Sequence, residues 1–290
     1  MTSGSYPMPE ASASQGTRLD AKRDALTGIL TDIGRVVVAY SGGVDSSFLA
    51  AAAYETLGDR SLAVTAVSPS LARKELDQAV ALAAGRAWKH KVVGTHEVGR
   101  EAYARNEPDR CYWCKTELFE VLEPLASARR ATIVVGTNAD DLGDYRPGLK
   151  AAAEHGARAP LAEARLTKDD VRALSAELGL PTADKPASPC LASRFAYGVR
   201  VTPEGLRRIE RAEDYLRDLG FGVLRVRDHG DMARIEVPAR DLSRLAELHE
   251  AVAAELLALG WRYVTMDLGG FKSGSMNAVL ATPTFGVPRP

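Results

Sequence analysis

The sequence predicts an α/β protein in which a parallel sheet with helices on both faces is followed by a smaller α+β domain. In the first half, short β-branched runs alternate with helical segments that end at glycine. This β-α-β-α-β order requires crossover connections, and such connections produce parallel strands. Beyond Val201 the order changes to α-β-β-α-β, which indicates a small α+β domain.

The larger predicted domain covers residues 18–200 and starts with a helix over residues 18–30, where apolar side chains recur at helical spacing. Residues 1–17 before it are rich in Ser, Ala, Gly and Pro, so we expect a disordered tail. Residues 148–164 lack a clear pattern and are expected to be rich in loops. The remaining elements are predicted as strands over 36–39, 62–67, 88–93 and 132–135 and helices over 47–57, 73–84, 116–128 and 167–178.

The smaller predicted domain covers residues 201–290. Thr202-Pro203-Glu204 is a helix start, with Thr as the cap, Pro at the first position and Glu in the first turn. This helix ends near Gly220. Strands follow over 223–226, 234–237 and 263–268, with one helix over 241–259 between the last two.

Composition limits the classes of function. The chain has 290 residues, 46% of them hydrophobic, and a net charge of −1, so we expect a globular protein without a large nucleic-acid surface. It lacks an export signal and an apolar stretch of the roughly 20 residues that span a bilayer, which predicts a cytoplasmic protein with no membrane partner. Three cysteines without an export signal indicate thiol, metal or cluster chemistry rather than disulfides.

One stretch organises the rest of the chain. A β-branched strand runs directly into Ser41-Gly42-Gly43-Val44-Asp45-Ser46 and then into an apolar helix. Glycines let the backbone approach a phosphate, and the helix start attracts its charge. The stretch has neither the Gly-Lys-Ser/Thr of a P-loop nor a Gly-x-Gly-x-x-Gly pattern. The alternative is a tight turn without a ligand.

The loop resembles the signature of the PP-loop ATP pyrophosphatase superfamily, whose fold is the adenine nucleotide alpha hydrolase type. The resemblance implies that ATP is cleaved between its α and β phosphates and that a second substrate is adenylated. Ligands of such sheets lie at the carboxyl ends of the strands. The predicted ATP-binding residues are Ala39, Ser41, Gly42, Gly43, Asp45 and Ser46, with Gly136 and Asn138 after a later strand.

Acidic residues at the same sheet edge are candidates for a magnesium site. Asp140 and Asp141 follow a strand and a Gly-Thr-Asn turn, and Asp45 lies in the loop. Mg²⁺ prefers one or two carboxylates together with phosphate oxygens, so these residues suit a metal bound to ATP. Helix capping by one Asp beside a solvated neighbour explains the pair equally well.

Cys111-x-x-Cys114 is ambiguous by itself, because a redox pair, half of a zinc site and half of a cluster site all use this spacing. Zinc needs further ligands, and the five histidines show no paired spacing. A redox pair leaves Cys190 unexplained. Three thiolates can hold three irons of a 4Fe–4S cluster and leave the fourth open for sulfide. Cys190 as a small buried hydrophobe is the remaining alternative.

Together, five further segments resemble the LarE family over roughly residues 18 to 280. They are Asp109–Lys115, Gly136–Asp141, Pro189–Phe195, Arg225–Gly230 and Ser273–Asn277. The resemblance implies an ATP-dependent sulfur transferase of nickel-pincer nucleotide cofactor biosynthesis. Its expected substrate is pyridinium-3,5-biscarboxylic acid mononucleotide, whose carboxylates are adenylated and replaced by thiocarboxylates, releasing pyrophosphate and AMP. The resemblance also implies a sulfide donor and a homo-oligomer.

The sulfur source divides the family. Some members have only the cysteine that matches Cys190 and sacrifice its sulfur, while others have three and are thought to use a 4Fe–4S cluster. This chain has Cys111, Cys114 and Cys190, so it resembles the cluster type and the three are its predicted catalytic residues and cluster ligands. Cys190 as a sacrificial donor stays the alternative.

The expected substrate is an acidic nucleotide, which needs cationic anchors. Arg225 and Arg227 alternate along a strand and therefore share a face, where they suit a phosphate. Arg194, four residues after Cys190, suits a carboxylate or phosphate, and Trp113 suits stacking on the pyridinium ring. Surface ion pairs for the arginines, and core packing for Trp113, are the alternatives.

Other functions also fit parts of the pattern. A cluster-dependent tRNA thiolase shares the loop and the cysteines but should carry a basic RNA-binding appendage. NAD and GMP synthetases share the loop and give no role to three cysteines. A non-catalytic nucleotide-binding module would release no pyrophosphate, and a zinc-stapled structural protein would bind zinc in place of iron.

Overall fold

The structure, a computed structural model, describes residues 10–143 and 147–272. The chain folds into two compact units. The first unit comprises residues up to Val67 together with 73–95 and 114–188. The second unit comprises 68–72, 96–113 and the residues from Pro189 onward. Both short segments of the second unit precede residue 201, where the predicted smaller domain starts.

The helices and strands have the following bounds. The strands are β1 (Val36–Ala39), β2 (Ser61–Val67), β3 (His90–Gly94), β4 (Thr132–Val135), β5 (Arg225–Asp228), β6 (Met232–Glu236) and β7 (Tyr263–Met266). The helices are α1 (Glu10–Ile33), α2 (Val44–Leu57), α3 (Arg73–Gly85), α4 (Glu101–Ala104), α5 (Arg110–Arg129), α6 (Pro147–Glu154), α7 (Pro160–Glu163), α8 (Lys168–Glu177), α9 (Pro203–Asp218), α10 (Leu242–Glu247) and α11 (His249–Ala258).

The first unit contains a parallel sheet, as the β-α-β order predicts. Among the described residues this sheet has four strands in the order β3-β2-β1-β4, and every neighbouring pair is parallel. The central strand β1 is apolar because it is covered on both faces, and Val36, Val37 and Val38 are fully buried. The core cluster joins β1 to α1, α2 and α8 through Leu30, Leu49 and similar side chains. The α/β fold class is thereby confirmed.

The second unit carries the smaller sheet. In the described part of the chain, its strands follow the order β5-β6-β7, with β5 antiparallel and β7 parallel to β6. Helix α9 starts as predicted, because the Thr202 hydroxyl accepts a hydrogen bond from the Gly205 backbone N–H at 3.0 Å and Pro203 is the first helical residue. None of the helices within residues 10–143 and 147–272 is both long and apolar enough to span a bilayer.

Some predicted elements are wrong. The region 148–164 is not loop-rich, since α6 and α7 lie there and each begins at a proline, a good first helical residue. Its alanines carry little periodic signal, which hid the helices. Helix α5 begins at Arg110 rather than at residue 116, so both Cys111 and Cys114 are helical. The helix predicted over 241–259 breaks at Leu248, whose ψ of 12° leaves the helical range without a glycine or proline to announce it.

At the N-terminus, helix α1 begins at Glu10, before the predicted start at residue 18. Residues 10–17 therefore do not belong to a disordered tail; they include alanine and glutamate, which favour helix. Residues 1–9 lie outside the described residues, and so does the Ser273–Asn277 motif.

Candidate active site

In the first unit, the predicted phosphate loop lies at the carboxyl end of β1 and leads directly into α2. Gly42 has a φ of +73°, a conformation that favours glycine, and a Cβ there would lie 2.8 Å from the Cβ of Ala79. The hydroxyls of Ser41 and Ser46 are 3.1 Å apart. Ser46 also donates to the Gly43 carbonyl at 3.2 Å. Backbone N–H groups and two hydroxyls therefore gather at one helix N-terminus, which suits a phosphate.

Gly136 closes this site from the neighbouring strand β4. A Cβ on Gly136 would lie 2.8 Å from the backbone nitrogen of Ser46, so no side chain fits there. Next to it, the Asn138 side-chain amide donates to Asp45 Oδ1 at 3.2 Å. The structure thus brings the predicted ATP-binding residues together: Ala39 at the end of β1, Ser41 to Ser46 in the loop and first turn, and Gly136 with Asn138 after β4.

The three acids of the predicted magnesium site have different surroundings. Asp45 forms an ion pair with Lys168, whose Nζ is 2.6 Å from Oδ2. Asp140 Oδ2 accepts from the Lys168 backbone N–H at 2.8 Å, and Asp141 Oδ2 accepts from the Asn138 backbone N–H at 3.1 Å. The two adjacent acids therefore hold backbone amides, as in the capping alternative. The donor chemistry of Asp45 fits Mg²⁺, which needs few protein carboxylates when phosphates supply the rest.

In the second unit, the residues around Cys190 are held by Arg194. The Arg194 side chain is 3% exposed, and it donates to both carboxylate oxygens of Glu213 at 2.9 and 3.0 Å. Its third nitrogen donates to the Cys190 carbonyl at 3.1 Å. Burial would raise the pKa of Glu213, but the hydrogen bonds and charge of Arg194 hold that pKa below its ordinary value. The pair is a buried one rather than the surface pair of the alternative.

Arg227 acts in the same way from strand β5. It is 6% exposed, its Nε donates to Glu236 at 3.0 Å, and another nitrogen donates to the Ser193 carbonyl at 3.0 Å. Arg194 and Arg227 therefore hold the carbonyl groups at both ends of the segment 190–193. Neither observation tests a contact with substrate, so the predicted substrate role of each stays a prediction.

Arg225 differs electrostatically from these two. Burial lowers its pKa, the positive charge of Arg194 lowers it further while Glu213 raises it, and the result is about 10. Its guanidinium lies 5.3 Å from the centre of the Phe271 ring and donates to the Leu224 carbonyl at 2.7 Å. A nearby anion offsets the free-energy cost of keeping a positive charge in such surroundings. The predicted substrate role of Arg225 stays a prediction.

None of the three cysteines, all within the described residues, forms a disulfide; Cys111 and Cys190 are exposed and Cys114 is half-buried. Cys111 and Cys114 lie three residues apart in α5, so they share one face of that helix. Arg110 is buried and donates to the Ala192 carbonyl at 2.9 Å. Burial lowers the pKa of Arg110, but the charges that Cys190 and Cys111 carry as thiolates raise it above its ordinary value. Both thiols therefore lie within electrostatic reach of one guanidinium.

An iron–sulfur cluster requires cysteine thiolates as its protein donors. Within the described residues, no three His, Cys, Asp or Glu side chains are grouped as a metal site. Thiolates are nevertheless the protein donors that iron–sulfur clusters take. The chemistry of Cys111, Cys114 and Cys190 thus fits a cluster, while the three-cysteine site itself stays a prediction.

Trp113 lies half-buried beside the two helical cysteines. Its indole N–H donates to Asp109 at 2.9 Å, and its ring meets Tyr112 edge-on with centroids 5.1 Å apart. This contact fixes the indole by its polar edge. Stacking on a pyridinium ring stays a prediction.

Sequence reasoning missed several residues that contact the predicted site residues, among them Lys168 at Asp45, Lys185 at Gly42 and Glu213 at Arg194. Glu213 had a readable signal, since it is an acid on the apolar face of α9 with Leu206, Ile209 and Leu216. The lysines had no comparable signal, because their partners lie far away in the chain.

The chain is similar in sequence to several known proteins. No family model matches it. It is 46% identical to an uncharacterised protein of Synechocystis, over 90% of this chain and 99% of that protein. An uncharacterised protein of Methanocaldococcus jannaschii is 31% identical over 82% of this chain and 91% of its own length.

A further relative has a named activity. The pyridinium-3,5-bisthiocarboxylic acid mononucleotide synthase of Lactiplantibacillus plantarum is 40% identical to this chain. The match covers 90% of this chain and 96% of the synthase, so both units are included. This chain therefore belongs to the LarE family, the family of that synthase.

Proposed function

We propose that this protein is an ATP-dependent sulfur transferase that converts pyridinium-3,5-biscarboxylic acid mononucleotide to its thiocarboxylate form, as a step of nickel-pincer nucleotide cofactor biosynthesis. One observation carries the ATP-dependent part. The loop 41–46 gathers hydroxyls and backbone N–H groups at a helix N-terminus, and Gly42 and Gly136 leave no room for side chains there. The synthase from Lactiplantibacillus plantarum supports the choice of substrate.

The first step makes a carboxylate reactive. Its oxygen is a poor leaving group, so the carboxylate attacks the α-phosphorus of ATP and the bond to the β-phosphate breaks. Pyrophosphate leaves, held by the hydroxyls of Ser41 and Ser46 and by the backbone around Gly43. Asp45 would hold Mg²⁺, and this ion would offset phosphate charge when bound. The AMP group remains attached to the substrate carboxyl through its α-phosphorus, as an acyl adenylate.

The second step replaces the activated oxygen by sulfur. A sulfide attacks the acyl carbon, the bond to the AMP oxygen breaks, and AMP leaves with the electron pair. Cys111, Cys114 and Cys190 would hold a 4Fe–4S cluster, which with three protein ligands has one iron open to carry sulfide from an external donor. In the alternative, Cys190 gives up its own sulfur and becomes dehydroalanine. Arg194 and Arg227 keep the Cys190 segment in place in either case.

Two further side chains, those of Arg225 and Trp113, bind the pyridinium nucleotide. Arg225 suits the phosphate or carboxylates of the pyridinium nucleotide, and Trp113 suits its ring. We also propose that the protein forms a homo-oligomer, because the resemblance to the LarE family implies one.

The test is an anaerobic assay with ATP, the biscarboxylate mononucleotide and sulfide. We expect pyrophosphate, AMP and a product in which one carboxyl oxygen is replaced by sulfur, identified by mass spectrometry. The reconstituted protein should bind about four irons per chain. Pyrophosphate release that requires tRNA in place of the nucleotide would contradict the substrate. Stoichiometric zinc or no metal would contradict the cluster, and loss of H₂S from Cys190 after turnover would select the sacrificial alternative.

A further inference from the structure

The peptide between Gly42 and Gly43 must keep one orientation, although its own two residues restrain it little. Neither residue has a Cβ, so this peptide can rotate at low cost, yet a phosphate-binding loop needs its N–H groups in one direction. In a trans peptide the carbonyl and the following N–H point to opposite sides. Holding the Gly42 carbonyl therefore also sets the direction of the Gly43 N–H.

Lys185 holds that carbonyl. Its Nζ donates to the Gly42 oxygen at 3.1 Å. It also donates to Gln78 Oε1 at 3.1 Å and lies 2.6 Å from Glu75 Oε2. An ammonium has three N–H donors, and these three partners use them all. The Lys185 side chain is only 15% exposed, so water competes weakly for it.

The anchor for this lysine is rigid. Gln78 and Glu75 project from α3, where Ala79 also packs against Gly42 and excludes any side chain there. Glu75 accepts a second hydrogen bond, from the Ser188 hydroxyl at 3.0 Å. Helix α3 thus holds the ammonium in place, and the ammonium holds the loop.

The opposite side of the peptide faces the loop hydroxyls. The Gly43 N–H donates to Ser41 Oγ at 3.4 Å, and the Ser41 hydroxyl is paired with that of Ser46. We propose that Lys185 is a positioning residue of the phosphate loop: it fixes the Gly42–Gly43 peptide so that the Gly43 N–H faces the side of the Ser41 and Ser46 hydroxyls, where the pyrophosphate group of ATP would bind. The inference deepens the proposed function, on which the identity of the ligand rests.

The test is calorimetric titration of the full chain with inorganic pyrophosphate and, separately, with adenosine. Lys185→Met removes the ammonium and keeps most of the stem. We expect it to weaken pyrophosphate binding by about tenfold, the effect of losing one charge-assisted hydrogen bond network at the loop, while adenosine binding stays unchanged. Lys185→Arg should recover part of the loss. Lys89→Met is the matched control, since Lys89 pairs with Asp59 away from the loop, 2.8 Å apart.

A second variant keeps the test decisive if Lys185→Met does not fold. Glu75→Gln removes the charge that anchors Lys185 and retains an acceptor for Ser188, and it should weaken pyrophosphate binding in the same direction by a smaller factor. Unchanged pyrophosphate binding in a folded Lys185→Met, or in Glu75→Gln, overturns the inference and leaves the proposed function standing. A wild-type chain that binds neither ATP nor pyrophosphate overturns the proposed function itself.

Discussion

At the scale of single residues, the surroundings of Arg225 destabilise its positive charge. Its pKa is lowered to about 10, first by burial and then by Arg194, so an anionic ligand would gain from meeting it. We predict that Arg225→Met raises the KM for the biscarboxylate mononucleotide by about tenfold, the usual effect of one lost charged hydrogen bond. Steady-state pyrophosphate release at varied substrate concentration measures this.

The control for Arg225 is Arg240→Met, which removes an arginine whose side chain is 79% exposed. It should leave the KM unchanged. Equal KM values for Arg225→Met and the wild type would assign Arg225 to structure alone. A lower kcat with an unchanged KM would place its effect after substrate binding.

Glu213 predicts a pH-dependent stability. Burial raises its pKa and Arg194 lowers it, with the net effect that the folded-state pKa lies below the ordinary value of 4.5. A depressed carboxyl pKa stabilises the fold above the unfolded value, and this stabilisation is lost as pH falls through the folded one. Glu213→Gln should therefore cost about 3–5 kcal/mol near neutral pH, because it leaves Arg194 buried without its counter-charge. The difference should shrink below pH 4.5.

Urea unfolding of wild type and Glu213→Gln across this pH range measures the effect. Glu204→Gln on the same helix is the control, because its ion pair with Arg207 is exposed and should contribute at most about 1 kcal/mol. A Glu213→Gln difference that stays constant down to pH 3 would mean that the carboxylate is not the stabilising form.

How well residues could be predicted depended on the distance of their partners along the chain. The loop residues 41–46 were readable because strand, turn and helix start lie in one short stretch. Lys168 and Lys185 were not, since their contacts with Asp45 and Gly42 bridge 123 and 143 residues. Arg194 was singled out as a candidate substrate ligand, a role that stays a prediction, and its contact with Glu213 could not be foreseen without knowing which helix packs over it.

At the scale of elements, Gly136 ties β4 to α2. A Cβ there would lie 2.8 Å from the Ser46 backbone nitrogen, so the strand end and the helix start would have to separate. We predict that Gly136→Ala lowers the free energy of unfolding by about 1–3 kcal/mol, as overpacking does. It should also weaken pyrophosphate binding, because it displaces the loop.

Gly94→Ala is the matched control for Gly136→Ala. It ends the parallel strand β3, and a Cβ there would meet nothing within 4 Å. Gly94→Ala should leave both the free energy of unfolding and pyrophosphate binding nearly unchanged. If Gly136→Ala behaves like Gly94→Ala in thermal unfolding and calorimetry, the close approach of β4 and α2 has no functional meaning.

The elements themselves were predicted best where apolar periodicity and end signals agreed. Strand β4 and the capping box of α8, built from Thr167 and Asp170, follow the sequence pattern closely. Helices α6 and α7 were missed because alanine occurs on both the buried and the exposed face of a helix, so their alanines give little periodic signal. The break at Leu248 was missed because no glycine or proline marks it.

At the scale of the whole molecule, the two units divide the proposed chemistry. The phosphate loop, Asp45 and Gly136 belong to the first unit, while Cys190 and the arginines Arg225 and Arg227 belong to the second. The chain enters the second unit three times, at residues 68–72, 96–113 and from 189. A sequential division could not reveal this, because short segments that join a distant unit carry no boundary signal of their own.

This division predicts that activation and sulfur transfer can be separated by mutation. Cys190→Ser leaves the loop 41–46 intact but removes a sulfur ligand and donor. We expect it to release about one pyrophosphate per chain and then stop, since the acyl adenylate stays bound when nothing attacks it. No thiocarboxylate should form. Asp45→Asn should lose both the burst and the product, because the ATP site itself is impaired.

Cys111→Ser then decides between the two sulfur sources. If Cys111 holds a cluster with Cys190, the variant should bind less iron and form no thiocarboxylate, while keeping the pyrophosphate burst. If Cys190 is consumed, Cys111→Ser should still form about one thiocarboxylate per chain and leave dehydroalanine at position 190, visible by mass spectrometry. A folded Cys190→Ser that releases no pyrophosphate would show instead that activation depends on the cysteine, and the separation of the two steps would be wrong.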